Sequence, residues 1–125
     1  MVVDQNWLDA IASTYGPLAP TGILAHEWGH LVQGLTPKGI NTELQADCLA
    51  GVHLKWAGLS ESDLSQFERA NFYNGDPPGV AVPDPHGTGL QRVAAVRRGY
   101  FNFDRSRTYT RQEIVSQACP YSAVY

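Results

Sequence analysis

Two short segments restrict this chain more than anything else in it. They are Ala25-His26-Glu27-Trp28-Gly29-His30 and, thirteen residues past His30, Glu43-Leu44-Gln45-Ala46-Asp47. The first is an H-E-x-x-H pattern. On an α-helix its histidines stand one turn apart on the same face, so both imidazoles can reach one metal ion. The second spaces two carboxylates by one helical turn. Glu43 can then reach the same ion while Asp47 braces a liganding histidine from behind. A chain that uses both segments must pack the two helices against each other. Three protein ligands and an open fourth position describe a catalytic zinc site. Structural zinc is normally closed by four ligands rich in cysteine, and Cys48 and Cys119 lack that spacing.

The residue types suggest a division of labour. His26, His30 and Glu43 are the expected zinc ligands, one ion per chain. Glu27 follows His26 but projects about a third of a turn away, where it can take a proton from a nucleophilic water and pass it to a leaving amine. Amide or peptide hydrolysis is the reaction that fits, with Glu27 as general base. The competing expectation is a zinc-binding interaction module without catalysis, but such a module has no need of a base. Asp47 is expected to accept the distal N–H of a liganding histidine. An oxyanion wants a donor besides the metal. His86 is the first candidate, with Tyr73, Arg92 and Tyr100 behind it as contacts to substrate or transition state. His53 falls off the Glu43/Asp47 face and reads as a polar surface residue.

The 125 residues suffice for one domain, residues 1–125, and 43% of them are hydrophobic, enough for a core. No apolar run is long enough to cross a bilayer. Asp4, Gln5 and Asn6 stand where a signal peptide would need basic and then apolar residues. A net charge of −3 argues against nucleic acid as a partner. The basic side chains of Arg92, Arg97, Arg98, Arg105, Arg107 and Arg111 read as a solvated C-terminal surface.

The pattern is helical almost throughout, with no convincing alternating strand. Trp7, Leu8, Ile11 and Ala12 give a first helix over 4–15, stopped at Gly16-Pro17. Thr21 is the expected N-cap of a second that carries His26, Glu27 and His30 to about Gln33. Gly34, Pro37 and Gly39 mark a turn. Thr42 with Gln45 reads as a capping box opening a third helix over 42–57. Ser60 and Asp63 begin a fourth that ends near Tyr73. A helix from about Thr88 to Phe101 follows, and Thr110 with Glu113 caps a short last one. Between the fourth and fifth lies Asn74–Gly87, with four prolines, three glycines and His86. A structureless loop of that length is usually functional or disordered. The expected fold is thus mainly α, a compact helical domain with little or no β-sheet. Cys48 and Cys119 fit either a disulfide or two buried thiols.

LAHEWGHLVQ at 24–33, ELQADCLAGV at 43–52 and HGTGLQRVAAVRRGY at 86–100 resemble the bacterial neutral zinc metallopeptidases. More broadly, the arrangement looks like the gluzincin group typified by thermolysin. The resemblance implies a zincin-like fold with His26, His30 and Glu43 as ligands, Glu27 as base and Asp47 behind them. It also implies a Cys48–Cys119 bridge and a location outside the cytoplasm. Family members carry a longer N-terminal region with a membrane anchor and strands that border the cleft. A protease normally holds its substrate as an added strand against a sheet edge. The resemblance therefore implies a peptide or protein substrate and a groove completed by elements this chain lacks, or by a partner. Trp28 departs from the small aliphatic residue expected within the motif.

Overall fold

The computed structural model describes residues 4–34 and 39–121. It is an all-helical packing: α1 (Gln5–Tyr15), α2 (Ala19–Gln33), α3 (Ile40–Trp56), α4 (Glu61–Tyr73), α5 (Gly89–Asn102) and the short α6 (Arg111–Glu113), which runs into one wide π-helical turn over Ile114–Ala118. Among the described residues there is no sheet. A single isolated parallel bridge pairs Asp76 with Thr88. No described helix is long and apolar enough to cross a membrane.

Four of the helix starts follow from local chemistry legible in the sequence. Asp4 accepts the N–H groups of Asn6 and Trp7 and so caps α1. Ser60 with Asp63, Thr88 with Gln91 and Thr110 with Glu113 each form a reciprocal capping box, satisfying N–H groups that have no partner inside the helix.

Two starts differ from the expected ones. Helix α2 begins at Ala19, so Pro20 lies inside the first turn and Thr21 is an exposed residue of the helix. Proline is at home there because its missing N–H would be unpaired anyway. The Leu18 N–H is taken up instead by Gln66 Oε1 on α4, 2.7 Å away. Helix α3 begins at Ile40, directly after Gly39 at φ +148°, and has no side-chain cap. Thr42 and Gln45 are therefore buried helical residues rather than a capping box. Pro37, assigned to the preceding turn, lies outside the described residues.

Helix α3 is the axis of the molecule, with eleven of its residues buried, Thr42 and Leu44 through Leu54 except His53. Helices α2 and α5 cross it on either side, and glycines set the separations. A Cβ on Gly99 of α5 would lie 1.8 Å from Cys48 O, and one on Gly29 of α2 would lie 2.7 Å from Ala46 O. No larger residue fits between these backbones. The close crossing of α2 over α3 is what brings the H-E-x-x-H face onto Glu43 and Asp47. Around α3, Leu44, Cys48, Leu49, Val52, Ala95 and Phe103 form one apolar cluster. Ala25, Leu54, Leu64, Phe67, Val96 and Tyr100 form another. Trp28 packs against the first cluster, on the far side of α2 from the site, which is how the motif accommodates a bulky residue.

A disulfide joins Cys48 of α3 to Cys119, closing a loop across 71 residues. By constraining the unfolded chain, such a bridge contributes about 2–4 kcal/mol. It pins the C-terminal segment to α3. The arginine-rich end is also more engaged than a solvated surface. Arg97 pairs with Glu68, Arg107 with Glu113, and Arg98 and Arg111 donate to the carbonyls of Ala118 and Val32. Arg92 is not on the surface at all.

Candidate metal centre

Helix α2 projects His26 and His30 from one face, and α3 lays Glu43 across them. His26 Nε2 and His30 Nε2 are 3.1 Å apart, and Glu43 Oε2 lies 3.1 Å from the first and 3.2 Å from the second. The two rings meet edge to face. These three side chains form a group that could hold a metal ion. The donor set is two imidazoles and one carboxylate, the mixture that suits divalent zinc. Donors bonded to one zinc at tetrahedral angles stand about 3.3–3.6 Å apart, so the observed triangle needs only a small expansion to fit.

Asp47 is fully buried behind His26. Its Oδ1 accepts from His26 Nδ1 at 2.7 Å, from Asn71 Nδ2 at 3.1 Å and from Arg92 Nη2 at 3.3 Å, while Oδ2 accepts from Arg92 Nε at 3.0 Å. Burial alone would raise the Asp47 pKa. The adjacent His26 and Arg92 outweigh it and hold the carboxyl below its usual range. An ionised Asp47 can only accept, so His26 carries a hydrogen on Nδ1 and leaves Nε2, facing Glu43 and His30, as the nitrogen a metal would take.

The two imidazoles hold protons strongly, and the carboxylate does not. Burial works against the His26 imidazolium, but Asp47 in contact overrides it and lifts the pKa to about 9. The bond to Glu43 raises His30 as well. For Glu43 burial is again the opposing influence, and the two histidines win, holding it well below the usual carboxylate range. A metal must displace the protons on both imidazoles. The apparent affinity for a divalent ion should therefore rise with pH up to about 9. For the proton on His26 the slope is about tenfold per unit, and it steepens at lower pH where His30 is protonated too. Chelator competition between neutral pH and this value would measure it. A flat profile would show that the imidazoles are not the ligands.

The side chains assigned to the chemistry separate into two sets. Glu27 and His86 share a cleft of about 230 Å³ with His26, Asn71 and Arg92. His86 arrives from the proline-rich loop, with Nε2 3.9 Å from Glu43 Oε1. Its position is set by Asp76, whose Oδ2 accepts from the N–H groups of His86 and Gly87 at 2.7 and 2.8 Å. Arg92 lines the cleft but is spent on Asp47. Tyr73 and Tyr100, expected as contacts to substrate or transition state, do not line this cleft. Tyr73 is exposed and stacks on Tyr15, 6.2 Å between ring centroids. Tyr100 is buried in the core and donates its hydroxyl to Leu59 O. His53 is not a free surface residue either. It is half-buried between Trp28 and Trp56, and burial lowers its pKa.

Sequence reasoning missed Asn71 and Asp76, and placed Arg92 wrongly. A signal existed for two of them. Asn71 falls on the stripe Leu64, Phe67, Asn71, and Arg92 on the stripe Arg92, Ala95, Val96, Gly99. All of these residues are buried in α4 and α5. A polar residue in register with an apolar stripe must find a buried partner. Asp76 carries no such signature.

The chain is 32% identical to the uncharacterized protein YpfJ of Escherichia coli strain K12, over an alignment of 126 positions that covers 76% of this chain and 44% of the relative. It is 42% identical over 73 positions to the uncharacterized protein Rv2575 of Mycobacterium tuberculosis strain H37Rv, covering 47% of this chain and 25% of that one. The chain thus spans less than half the length of the curated relatives it matches. No family model matches it, and no solved structure does.

Proposed function

We propose that this chain carries the zinc centre of a metallopeptidase of the gluzincin type and hydrolyses peptide bonds. The observation that carries the reading is the convergence of three donors within 3.2 Å, with Asp47 fixing the tautomer of one of them and Glu27 in the adjoining cleft. A structural site has no use for a carboxylate of that last kind. The resemblance to bacterial neutral zinc metallopeptidases points the same way.

When bound, zinc supplies Lewis acidity towards a carbonyl oxygen and towards water. The protein's residues do the rest. His26, His30 and Glu43 bind the ion. Asp47 and Arg92 hold His26 in the orientation that binding requires. Glu27 takes the proton of the attacking water and returns it to the leaving amine nitrogen as the C–N bond breaks. His86 donates from a ring N–H to the oxygen that becomes negative. The substrate is a peptide or protein segment, held extended across the cleft, with the remainder of the groove supplied by further chain or by a partner. The disulfide favours an oxidising, extracytoplasmic setting.

The deciding experiment measures metal content together with cleavage of an unstructured peptide library. About one zinc per chain is expected, with cleavage abolished by a chelator and restored by added zinc. Zinc without cleavage would support a binding module instead. Protein purified and dialysed against zinc that retains none would defeat the reading altogether.

A further inference from the structure

His26 is braced by a carboxylate, but His30 is not, and its second nitrogen points another way. His30 Nδ1 lies 2.9 Å from Gln33 Oε1. Gln33 Nε2 is 2.7 Å from Thr42 O and 3.0 Å from Gln45 Oε1, and Gln45 Nε2 is 2.8 Å from Cys119 O. The direction of this chain of bonds is fixed at its ends. Thr42 O and Cys119 O are carbonyl oxygens and can only accept. The amide ends facing them must then be NH2 groups. Gln45 is left with its oxygen towards Gln33, and Gln33 with its oxygen towards His30. An amide oxygen only accepts, so His30 must carry its hydrogen on Nδ1. Nε2, which faces His26 and Glu43, is thereby left as the nitrogen a metal would take.

We infer that Gln33 and Gln45 form an amide relay that positions His30 as a metal ligand and ties it to the disulfide-anchored carbonyl of Cys119. Gln33 is the last residue of α2, Gln45 lies in α3 and Cys119 belongs to the C-terminal segment, so the relay joins three separate stretches of chain. Gln45 is buried, and a buried amide in a bonded network keeps a single orientation. Both glutamines are positioning residues. They act through His30 and are assigned no contact with substrate. The inference rests on the metal-site reading above.

The test uses the full chain and zinc itself. Affinity is read by competition with a chromophoric chelator, and the fold by circular dichroism of the metal-free protein. Gln33→Met keeps the side chain's length but removes the acceptor, and should weaken zinc binding by roughly 10- to 100-fold with the helical signal intact. Gln33→Glu keeps an acceptor for Nδ1 but sets its second oxygen against Thr42 O and Gln45 Oε1, so it should recover only part of that loss. Gln45→Met leaves Gln33 beside His30 but removes what fixes its direction, and a smaller loss is expected. This third variant stands alone if Gln33→Met does not fold. Wild-type affinity in either folded methionine variant overturns the relay. Wild-type protein that takes up no zinc fails earlier, at the metal site itself, so the two failures are distinguishable.

Discussion

Glu27→Gln should lower peptide hydrolysis by about 10²- to 10⁴-fold, the usual contribution of a positioned general base, while zinc stays bound at the wild-type stoichiometry. The separation of the two readouts is the point. Glu27 is not one of the three donors that converge on the centre; those are His26, His30 and Glu43. It lines the neighbouring cleft, half-buried, together with His86 and Asn71. Glutamine has the same shape and cannot take a proton at neutral pH, so packing in α2 is preserved. The loss should fall on kcat with KM little changed, because proton transfer matters in the transition state and not in substrate binding. Steady-state kinetics beside metal analysis would check both halves. Undiminished kcat would remove Glu27 from the mechanism. Loss of zinc would mean that Glu27 helps hold the ion.

Much of this centre was legible because helices make spacing into geometry. Residues four apart share a face, so His26 with His30 and Glu43 with Asp47 could be paired before any coordinates. The contact between the two pairs depends on Gly29, whose missing side chain lets α2 approach the Ala46 backbone. That role was not readable, because a glycine in a helix announces only a cost until its neighbour is known. The helix starts at Ser60, Thr88 and Thr110 were readable for the opposite reason: each is satisfied within four residues. Thr42 and Gln45 show the limit of that reasoning. Their spacing fits a box, yet Gln45 spends its amide on Cys119, seventy-four residues away. Tyr73 and Tyr100 were placed at the site only by their chemistry. Once the helices pack, one faces solvent and the other faces the core.

Asp47→Asn should be the most damaging substitution for the fold near the centre, at about 3–5 kcal/mol, because it leaves a buried charge without its counter-charge. The charge left behind is Arg92, itself buried, whose Nε and Nη2 both donate to this carboxylate. Asparagine can still accept at Oδ1 from His26 and Asn71, but it sets an NH2 group against the Arg92 Nε that formerly met Oδ2. Metal affinity should fall in parallel by roughly 10- to 100-fold, since the brace that orients His26 is weakened. The pH dependence separates this account from a general packing defect. The folded pKa of Asp47 is lowered, so its contribution is present above the ordinary carboxylate value of about 3.9 and is lost only as pH falls through the lower folded value. The folded pKa of His26 is raised to about 9. Its contribution is complete below the unfolded value of about 6.5 and is lost as pH climbs towards the folded one. Metal-free wild-type protein should accordingly lose stability from about pH 6.5 upwards on the His26 account, and on the Asp47 account only in strong acid. In the asparagine variant both limbs should flatten. Denaturant titrations of the two metal-free proteins across this range would test it. A variant that is uniformly weaker, with the wild-type pH profile retained, would place the stabilising charge pair somewhere other than Asp47.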